Sequence, residues 1–194
     1  MARNILNPEL LYAAYSQGYF PMPDGDSEQI LWFRPDPRAV IPLDNFHVSR
    51  SLKRKLNKED FKVSYDQDFE RVMLGCADHP NTWINEEFIS VYTRLHSLGL
   101  AHSVEVWSDS KLIGGTYGVC LGGAFFAESK FHKRADASKI ALYFLVKRML
   151  ERGFTLLECQ FLTPHLQTLG AIEISDADYI DRLGHALEQR VSFT

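Results

Sequence analysis

Three side chains suited to proton transfer and hydrogen bonding stand on two predicted strands of this chain. Glu128 follows two phenylalanines, whereas Glu158 and Gln160 are two positions apart, which would place them on one face of a strand. A carboxylate can act as a general base, and a carboxamide can both donate and accept hydrogen bonds. If the strands lie close together, these groups can orient an amine for attack on a carbonyl. Polar residues at the solvent edge of a sheet are the alternative for each residue separately.

The strand that carries Glu128 is the second half of a predicted hairpin. Lys111–Cys120 and Ala124–Phe131 have strand character, and Gly122-Gly123 supplies the positive φ that a tight turn requires. Strict alternation predicts one face with Phe126, Glu128 and Lys130, and the other with Phe125, Ala127, Ser129 and Phe131. A carboxylate between phenylalanines needs a partner if it is buried, whereas an exposed glutamate on an edge strand is the simpler alternative.

The composition is typical of a globular protein without a membrane segment. The chain has 194 residues, a length sufficient for one large or two small domains. Hydrophobic residues make up 45% of it and charged residues 24%, which is ordinary for a globular protein. The net charge of -4 gives no overall attraction to nucleic acid, so such binding requires a local basic patch. Three widely spaced cysteines and the absence of a signal-length apolar run predict a cytoplasmic protein. The histidines and cysteines show no metal-ligand spacing, so no metal is predicted.

A local basic patch is predicted on a short helix that Ser49 caps. Arg50, Lys53 and Arg54 fall at i, i+3 and i+4 on one face, and leucines occupy the opposite face. These cations are the clearest candidates for phosphate contacts. The alternative is a charged helix face that is only exposed to solvent, which is the more usual role of such a run of charges. The preceding aromatic and proline-rich segment can form either a stacking surface for a nucleobase or a small aromatic core.

The element pattern predicts a small N-terminal domain, residues 1–60, and a larger α/β domain, residues 61–194. The larger part is predicted as β-α-α-β-β-β-α-β-α-α, in which an antiparallel meander precedes a helix and a further strand. This order resembles the GNAT-type acetyltransferase fold, with a mixed, largely antiparallel sheet and flanking helices. An enzyme of that fold that uses coenzyme A is expected to have a glycine-rich loop after the meander. Residues 133–139 contain no glycine, which argues against coenzyme A.

A series of short motifs between Tyr15 and about Tyr179 resembles one known family. The motifs include Gly18-Tyr19-Phe20-Pro21, Pro35-Asp36-Pro37-Arg38, Thr82-Trp83-Ile84, Gly114-Gly115-Thr116-Tyr117-Gly118-Val119, Glu128-Ser129-Lys130-Phe131, Ala137-Ser138-Lys139 and Cys159-Gln160. In this order they resemble the leucyl/phenylalanyl-tRNA–protein transferases. The resemblance implies transfer of Leu or Phe, with Met as an open further donor, from aminoacyl-tRNA to the N-terminal Arg or Lys of an acceptor protein. Such a protein is then marked for degradation through an N-degron pathway, without coenzyme A or another cofactor.

The resemblance also implies a role for each candidate residue. Gln160 and Glu158 would orient and activate the acceptor amine, and Glu128 would support the site. Substrate-binding positions would be Trp83 at the aminoacyl-adenosine end, Phe125 and Phe126 at the amino-acid pocket, and Tyr15 and Tyr92. The tRNA acceptor stem would contact Arg50, Lys53 and Arg54. An N-acetyltransferase that uses acyl-coenzyme A and a non-catalytic tRNA-binding module are the two alternatives.

This chain departs from the usual pattern of that family at several positions. Glu158 stands where an aspartate is usual, and Met22 stands where a tryptophan is usual. Thr163 replaces an asparagine, whereas Thr116 and Lys130 replace larger apolar residues near the expected amino-acid pocket.

Overall fold

A computed structural model describes residues 6–24, 29–58, 60–80 and 82–194. The N-terminal elements are α1 (Pro8–Ser16), β1 (Phe20–Pro23), β2 (Ile30–Phe33), β3 (Arg38–Val40), a 3-10 turn (Leu43–Asn45) and α2 (Arg50–Leu56). The following elements are β4 (Lys62–Tyr65), α3 (Phe69–Ala77), α4 (Glu86–Ser97), β5 (Ala101–Ser108), β6 (Lys111–Leu121) and β7 (Ala124–His132). The last elements are α5 (Ala137–Arg152), β8 (Leu156–Glu158), α6 (Pro164–Gln167), β9 (Ile172–Ile174) and α7 (Asp176–Leu187).

A seven-stranded sheet of the described residues organises these elements in the order β4-β5-β6-β7-β8-β3-β9. Every neighbouring pair is antiparallel except β7 and β8, which are parallel and are joined through α5. Parallel neighbours need such a crossover because a tight hairpin can join only antiparallel strands. The predicted mixed, largely antiparallel sheet with flanking helices is therefore confirmed.

The helices divide between the two faces of the sheet. One hydrophobic cluster contains buried residues of α1, α3, α4 and α7, whereas the other contains those of α2 and α5. Helix starts lie where the sequence predicts caps. The side chains of Asn7, Ser49 and Asn85 accept hydrogen bonds from the third backbone N–H that follows each of them. These caps fix where α1, α2 and α4 begin.

Two predictions about the order of elements are wrong. The strand predicted to carry both Glu158 and Gln160 ends at Glu158, and the short strand β9 lies between the last two helices, where no strand was predicted. The aromatic and proline-rich segment before α2 contains β1 and β2, which pair as a two-stranded antiparallel hairpin. Prolines are compatible with these strands because the hairpin forms a separate two-stranded sheet, where many backbone N–H groups need no partner.

The large sheet does not divide at residue 60. Strand β3 lies N-terminal to that position, yet it pairs with both β8 and β9 near the C-terminus. Leu52 of α2 is buried in the same cluster as residues of α5. The division into domains 1–60 and 61–194 stays a prediction, although β3 and α2, which precede residue 60, pack with elements that follow it.

A β-bulge corrects the predicted faces of β7. Tyr117 pairs with Ser129 and the next residue, Gly118, pairs with Ala127, which leaves Glu128 as an extra residue. Phe126 and Phe131 are five positions apart, yet both belong to the cluster with α3 and α4. The strict alternation predicted for this strand is therefore wrong after Glu128, because the bulge reverses the side to which the following residues point.

Across the residues that the structure describes, we find no helix that is both long enough and apolar enough to span a membrane.

Candidate active site

A cavity of about 180 Å³ opens where the bulge of β7 faces the end of β8. Its wall is completed by residues of α5, α6 and the segment after β3. The lining residues are Ile41, Thr116, Ala127, Glu128, Ser129, Lys130, Leu142, Cys159, Gln160, Phe161, Thr163 and Leu166. A cavity of roughly 150 Å³ can hold a benzene ring, so this cavity can accept one amino-acid side chain.

Glu128 is the carboxylate that faces this cavity. It is buried, and Gln160 Nε2 donates a hydrogen bond to its Oε1 at 3.2 Å. Tyr92 donates its hydroxyl to Oε2, also at 3.2 Å. Burial raises the pKa of Glu128 to about 8, although hydrogen bonds from Tyr15, Tyr92 and Gln160 act in the opposite direction. Such a pKa lies close to that of a peptide α-amine, roughly 8, so this carboxyl can exchange a proton with one.

Gln160 reaches Glu128 because its backbone leaves the strand direction. Its φ of 65° lies in the left-handed region, which a residue with a side chain adopts only when the surroundings hold it there. The contact that holds it is a 2.6 Å hydrogen bond from the Gln160 backbone N–H to Glu158 Oε1. Glu158 and Gln160 therefore do not share a strand face as predicted, yet the three polar groups converge through hydrogen bonds.

Glu158 is closed to solvent and paired with a cation. Arg38 Nη1 lies 3.0 Å from Glu158 Oε1, and the exposed fractions of the two side chains are 1% and 0%. The Arg38 guanidinium also donates to the carbonyl of Gly18 at 2.5 Å and lies 4.3 Å from the centre of the Tyr179 ring. Burial raises the pKa of Glu158, and the neighbouring Arg38 charge counteracts that rise. In this arrangement Glu158 holds the backbone of Gln160 and is not part of the cavity wall.

Two tyrosines form a buried support behind Glu128. The hydroxyl oxygens of Tyr15 in α1 and Tyr92 in α4 are 2.5 Å apart. Burial is the main cause that raises the pKa of both phenols well above the usual value, and the Glu128 charge adds to it. Neutral phenols can donate hydrogen bonds to the ionised Glu128. Neither tyrosine lines the cavity, so both are placed to orient this carboxylate.

The three other predicted substrate-binding residues lie outside the cavity wall. Phe125 is fully buried beside Phe193, with 5.5 Å between ring centres, and Phe126 packs 5.0 Å from Tyr15. Both phenylalanines are core residues because β7 lies in the middle of the sheet and is covered on both faces. Trp83 precedes α4 and packs edge-on against Phe88. Its predicted contact with the aminoacyl-adenosine end stays a prediction.

The basic face of α2 has the predicted geometry. Arg50, Lys53 and Arg54 are exposed, whereas Leu52 is buried beneath the helix. The neighbouring Lys55 has a structural role, since its ammonium lies 2.9 Å from Asp136 at the start of α5. The three exposed cations therefore remain available for a phosphate backbone, which stays a prediction.

Cys159 has the environment of a core residue. It is buried, and burial raises the pKa of its thiol to about 12, so a thiolate is not available near neutral pH. Elsewhere in the described part of the chain, Asp66, His96 and His102 come close enough to share a cation. However, Nδ1 of His102 lies 2.7 Å from Asp66 and Nε2 lies 3.2 Å from the Gly99 carbonyl, so oxygen partners already occupy this imidazole.

Comparisons with known proteins agree with this arrangement. The model of the family "Leucyl/phenylalanyl-tRNA protein transferase" matches residues 40–184, and the model of its N-terminal domain matches residues 4–36. The chain is 52% identical over 190 residues to the leucyl/phenylalanyl-tRNA–protein transferase of Cereibacter sphaeroides, which covers 97% of this chain and 89% of that protein. It is 50% identical over 182 residues to that of Gloeobacter violaceus, covering 94% of each chain.

The chain belongs to the leucyl/phenylalanyl-tRNA–protein transferase family. The resemblance noted in the sequence is thereby confirmed. The first family match ends at residue 36 and the second begins at residue 40, the last residue of β3. Among solved structures, the alignment with FemX covers 86% of this chain and 66% of the FemX chain, with a TM-score of 0.54 and 11% identity. At that identity the likeness shows a shared fold and nothing about substrates.

Some residues of the candidate site became apparent only in the structure. Arg38 belongs to the motif Pro35-Asp36-Pro37-Arg38, but nothing in its spacing indicates an ion pair with Glu158, 120 positions away. Phe161 lines the cavity, is 44% exposed, and contacts Phe20 of the N-terminal hairpin edge-on at 5.7 Å. The only signal for Lys130 was its departure from the apolar residue usual in the family. The common reason is that each contact joins segments far apart in the chain.

Proposed function

We propose that this chain transfers the aminoacyl group of Leu-tRNA or Phe-tRNA to the N-terminal α-amine of an acceptor protein that begins with Arg or Lys. The observation that carries the proposal is the hydrogen-bonded pair of Glu128 and Gln160 in the wall of a cavity of side-chain size. Membership of the transferase family, whose relatives are named for this reaction, supports the choice of substrates.

The reaction needs a base more than it needs a nucleophile from the protein. The acceptor amine attacks the carbonyl of the aminoacyl ester, a C–N bond forms, and the C–O bond to the terminal ribose breaks. The proton that the amine loses passes to Glu128 and then to the departing ribose oxygen, so the carboxylate is regenerated. A base with a pKa of about 8 can serve in both directions near neutral pH.

Gln160 is suited to orient the amine. Its Nε2 is engaged by Glu128, which leaves its carbonyl oxygen able to accept a hydrogen bond from the attacking N–H. Because the ester is already activated, positioning of this kind supplies a large part of the required rate enhancement. In this mechanism Glu158 is a positioning residue, since it fixes the backbone of Gln160 from a site closed to solvent.

The tRNA is proposed to contact Arg50, Lys53 and Arg54. These cations lie on the helix that packs on the α5 side of the sheet, and residues Ile41, Leu142 and Leu166 of the cavity wall belong to the same hydrophobic cluster. A tRNA acceptor stem bound by α2 would therefore lie on the same side of the sheet as these three residues of the cavity wall. The net charge of -4 makes this local patch necessary.

We propose that coenzyme A takes no part in the reaction. In the segment between β7 and α5, the residue before the helix is Asp136, whose carboxylate forms ion pairs with Lys55 at 2.9 Å and with Lys139 at 3.0 Å. A pyrophosphate at this helix start would meet that carboxylate and would lack a glycine-rich loop. The marking of acceptors for degradation and a cytoplasmic location belong to the same proposal, and both follow from the family resemblance.

A transfer assay tests this function. The full chain is incubated with radiolabelled Leu-tRNA or Phe-tRNA and with peptides that differ only in an N-terminal Arg, Lys, Asp or Glu. Label on the Arg and Lys peptides is the expected result. Label restricted to the Asp and Glu peptides would overturn the acceptor assignment, and label from acetyl-coenzyme A in place of tRNA would show an acetyltransferase. Binding of tRNA without transfer in any mixture would reject catalysis.

A further inference from the structure

The cavity contains a lysine side chain that no acidic group balances. Lys130 is on β7, two positions after Glu128, and its side chain forms part of the cavity wall. Among the described residues its ammonium makes neither a hydrogen bond nor an ion pair. Burial lowers its pKa, and the nearby groups that oppose this effect are the thiols of Cys159 and Cys76. The side chain of Lys130 is half-buried, and a bound ligand that supplies an acceptor for its ammonium would offset the cost of this partial burial.

Glu128 does not neutralise Lys130, although the two are close in sequence. One carboxylate oxygen of Glu128 accepts from Gln160 and the other accepts from Tyr92. The bulge at Glu128 explains the separation, because it changes the side of the strand from which the next residues project. The cavity wall thus contains the carboxyl group of Glu128, which has hydrogen-bond partners, and the ammonium of Lys130, which has none among the described residues.

The surroundings of Lys130 combine apolar walls with positive charge. Ile41, Leu142 and Leu166 supply aliphatic surface that suits the stem of an amino-acid side chain. His165 of α6 lies nearby; its pKa is lowered first by burial and then by Lys130, Lys139 and His132, whereas the carboxylate of Asp136 raises it. A side chain with an aliphatic stem and an oxygen acceptor at its end matches both properties of this cavity.

We propose that Lys130 selects the side chain of the transferred amino acid. The cavity receives that side chain, and the ammonium favours donors that end in a carboxamide or carboxylate oxygen over apolar donors of equal length. The proposal rests on the proposed function and extends the donor range beyond Leu and Phe. Its physical basis is that a polar group of a binding site discriminates strongly against a ligand that leaves it unpaired.

The test compares donor side chains on one tRNA body. Gln, Glu, Met, Leu and Phe are each charged onto the same tRNA, so that only the side chain differs, and kcat/KM is measured with an Arg-initiated peptide. Gln and Met form the matched pair because both are unbranched and similar in length. We expect the Gln-to-Met ratio of kcat/KM to fall at least tenfold in Lys130→Met, while the values for Leu and Phe are retained or increased. A preference for Glu over Gln would show that Lys130 pairs with a carboxylate. A preference for Gln over Glu would show that it donates to a neutral carboxamide oxygen.

Control variants keep this test decisive. Lys133→Met removes an exposed lysine just after the same strand, whose side chain is 58% exposed, and should leave every ratio unchanged. Lys130→Leu is the second variant if Lys130→Met does not fold. An unchanged Gln-to-Met ratio in a folded variant that binds tRNA normally would overturn the role of Lys130. Failure of the unmodified chain to transfer any of the five amino acids would instead reject the proposed function.

Discussion

Arg38 and Glu158 form an ion pair from which solvent is excluded, with 3.0 Å between Nη1 and Oε1. The same carboxylate oxygen accepts the backbone N–H of Gln160, and the same guanidinium binds the Gly18 carbonyl. Glu158 and Arg38 therefore link the N-terminal segment to the backbone of a residue in the candidate active site.

Removal of one charge from this ion pair is expected to destabilise the fold strongly. Glu158→Gln keeps the shape but leaves the buried Arg38 guanidinium uncompensated, which costs roughly 3–5 kcal/mol. Urea unfolding measures the change. The control is Asp176→Asn, which breaks an ion pair on the surface. Asp176 pairs with Arg34, and the exposed fractions of these two side chains are 27% and 32%. That exposed pair should contribute less than about 1 kcal/mol, and equal effects of the two variants would contradict the role given to Glu158.

Glu128→Gln is expected to lower the transfer rate by a factor of roughly 10² to 10⁴ while tRNA affinity is retained. The amide preserves hydrogen bonding in the cavity but cannot accept the proton of the acceptor amine. In the unmodified chain the rate should rise with pH and level off above about 8, the pKa of Glu128. Tyr92→Phe removes a hydrogen bond that lowers this pKa, so the rise should move to higher pH. If Tyr92→Phe does not shift the pH dependence of the transfer rate, that dependence reflects ionisation of the acceptor amine and not of Glu128.

Stability should depend on pH through the same carboxyl. The pKa of Glu128 is about 8 in the folded chain, against about 4.5 for an unperturbed glutamate. Between these values the folded chain holds a proton that the unfolded chain has released, so the free energy of unfolding falls as pH rises through this window. Glu128→Gln should flatten that slope. The raised pKa of Glu158 acts in the same direction, so part of the slope should persist, and a slope unchanged by the substitution would contradict the assignment.

Two substitutions at Gln160 separate its side chain from its backbone. Gln160→Ala and Gln160→Gly both remove the carboxamide, but glycine adopts the left-handed φ of 65° without strain. Glycine should therefore be the more stable variant by thermal unfolding, whereas transfer should be lost equally in both and tRNA binding should be retained. Recovery of transfer in the glycine variant would show that the backbone position matters and the amide does not.

Replacement of Arg50, Lys53 and Arg54 by alanine is expected to weaken tRNA binding and to reduce its salt dependence. The slope of log affinity against log salt concentration should fall by roughly 1 for each phosphate contact that is lost. The matched control removes three other exposed cations, Lys111, Arg152 and Arg190. If the control triple changes the slope as much as the α2 triple does, the basic face of α2 is not the binding surface.

Local sequence features were sufficient for much of the fold. The caps at Asn7, Ser49 and Asn85 and the turn at Gly122-Gly123 act over a few residues, so their chemistry can be recognised directly. The amphipathic pattern of the helices likewise records which side faces the sheet. The strand β9 was missed because three residues at the sheet edge, mostly exposed, carry almost no periodic signal.

The sequence by itself determined the family, the element order around the meander and the identity of the polar residues Glu128, Glu158 and Gln160. Only the tertiary structure decided their roles. The bulge changed the side of the strand from which Lys130 projects relative to Glu128, and burial beside Arg38 separated Glu158 from the cavity. The physical reason is that pKa, accessibility and pairing depend on groups up to 120 positions apart in the chain, and no local pattern specifies which of them will meet.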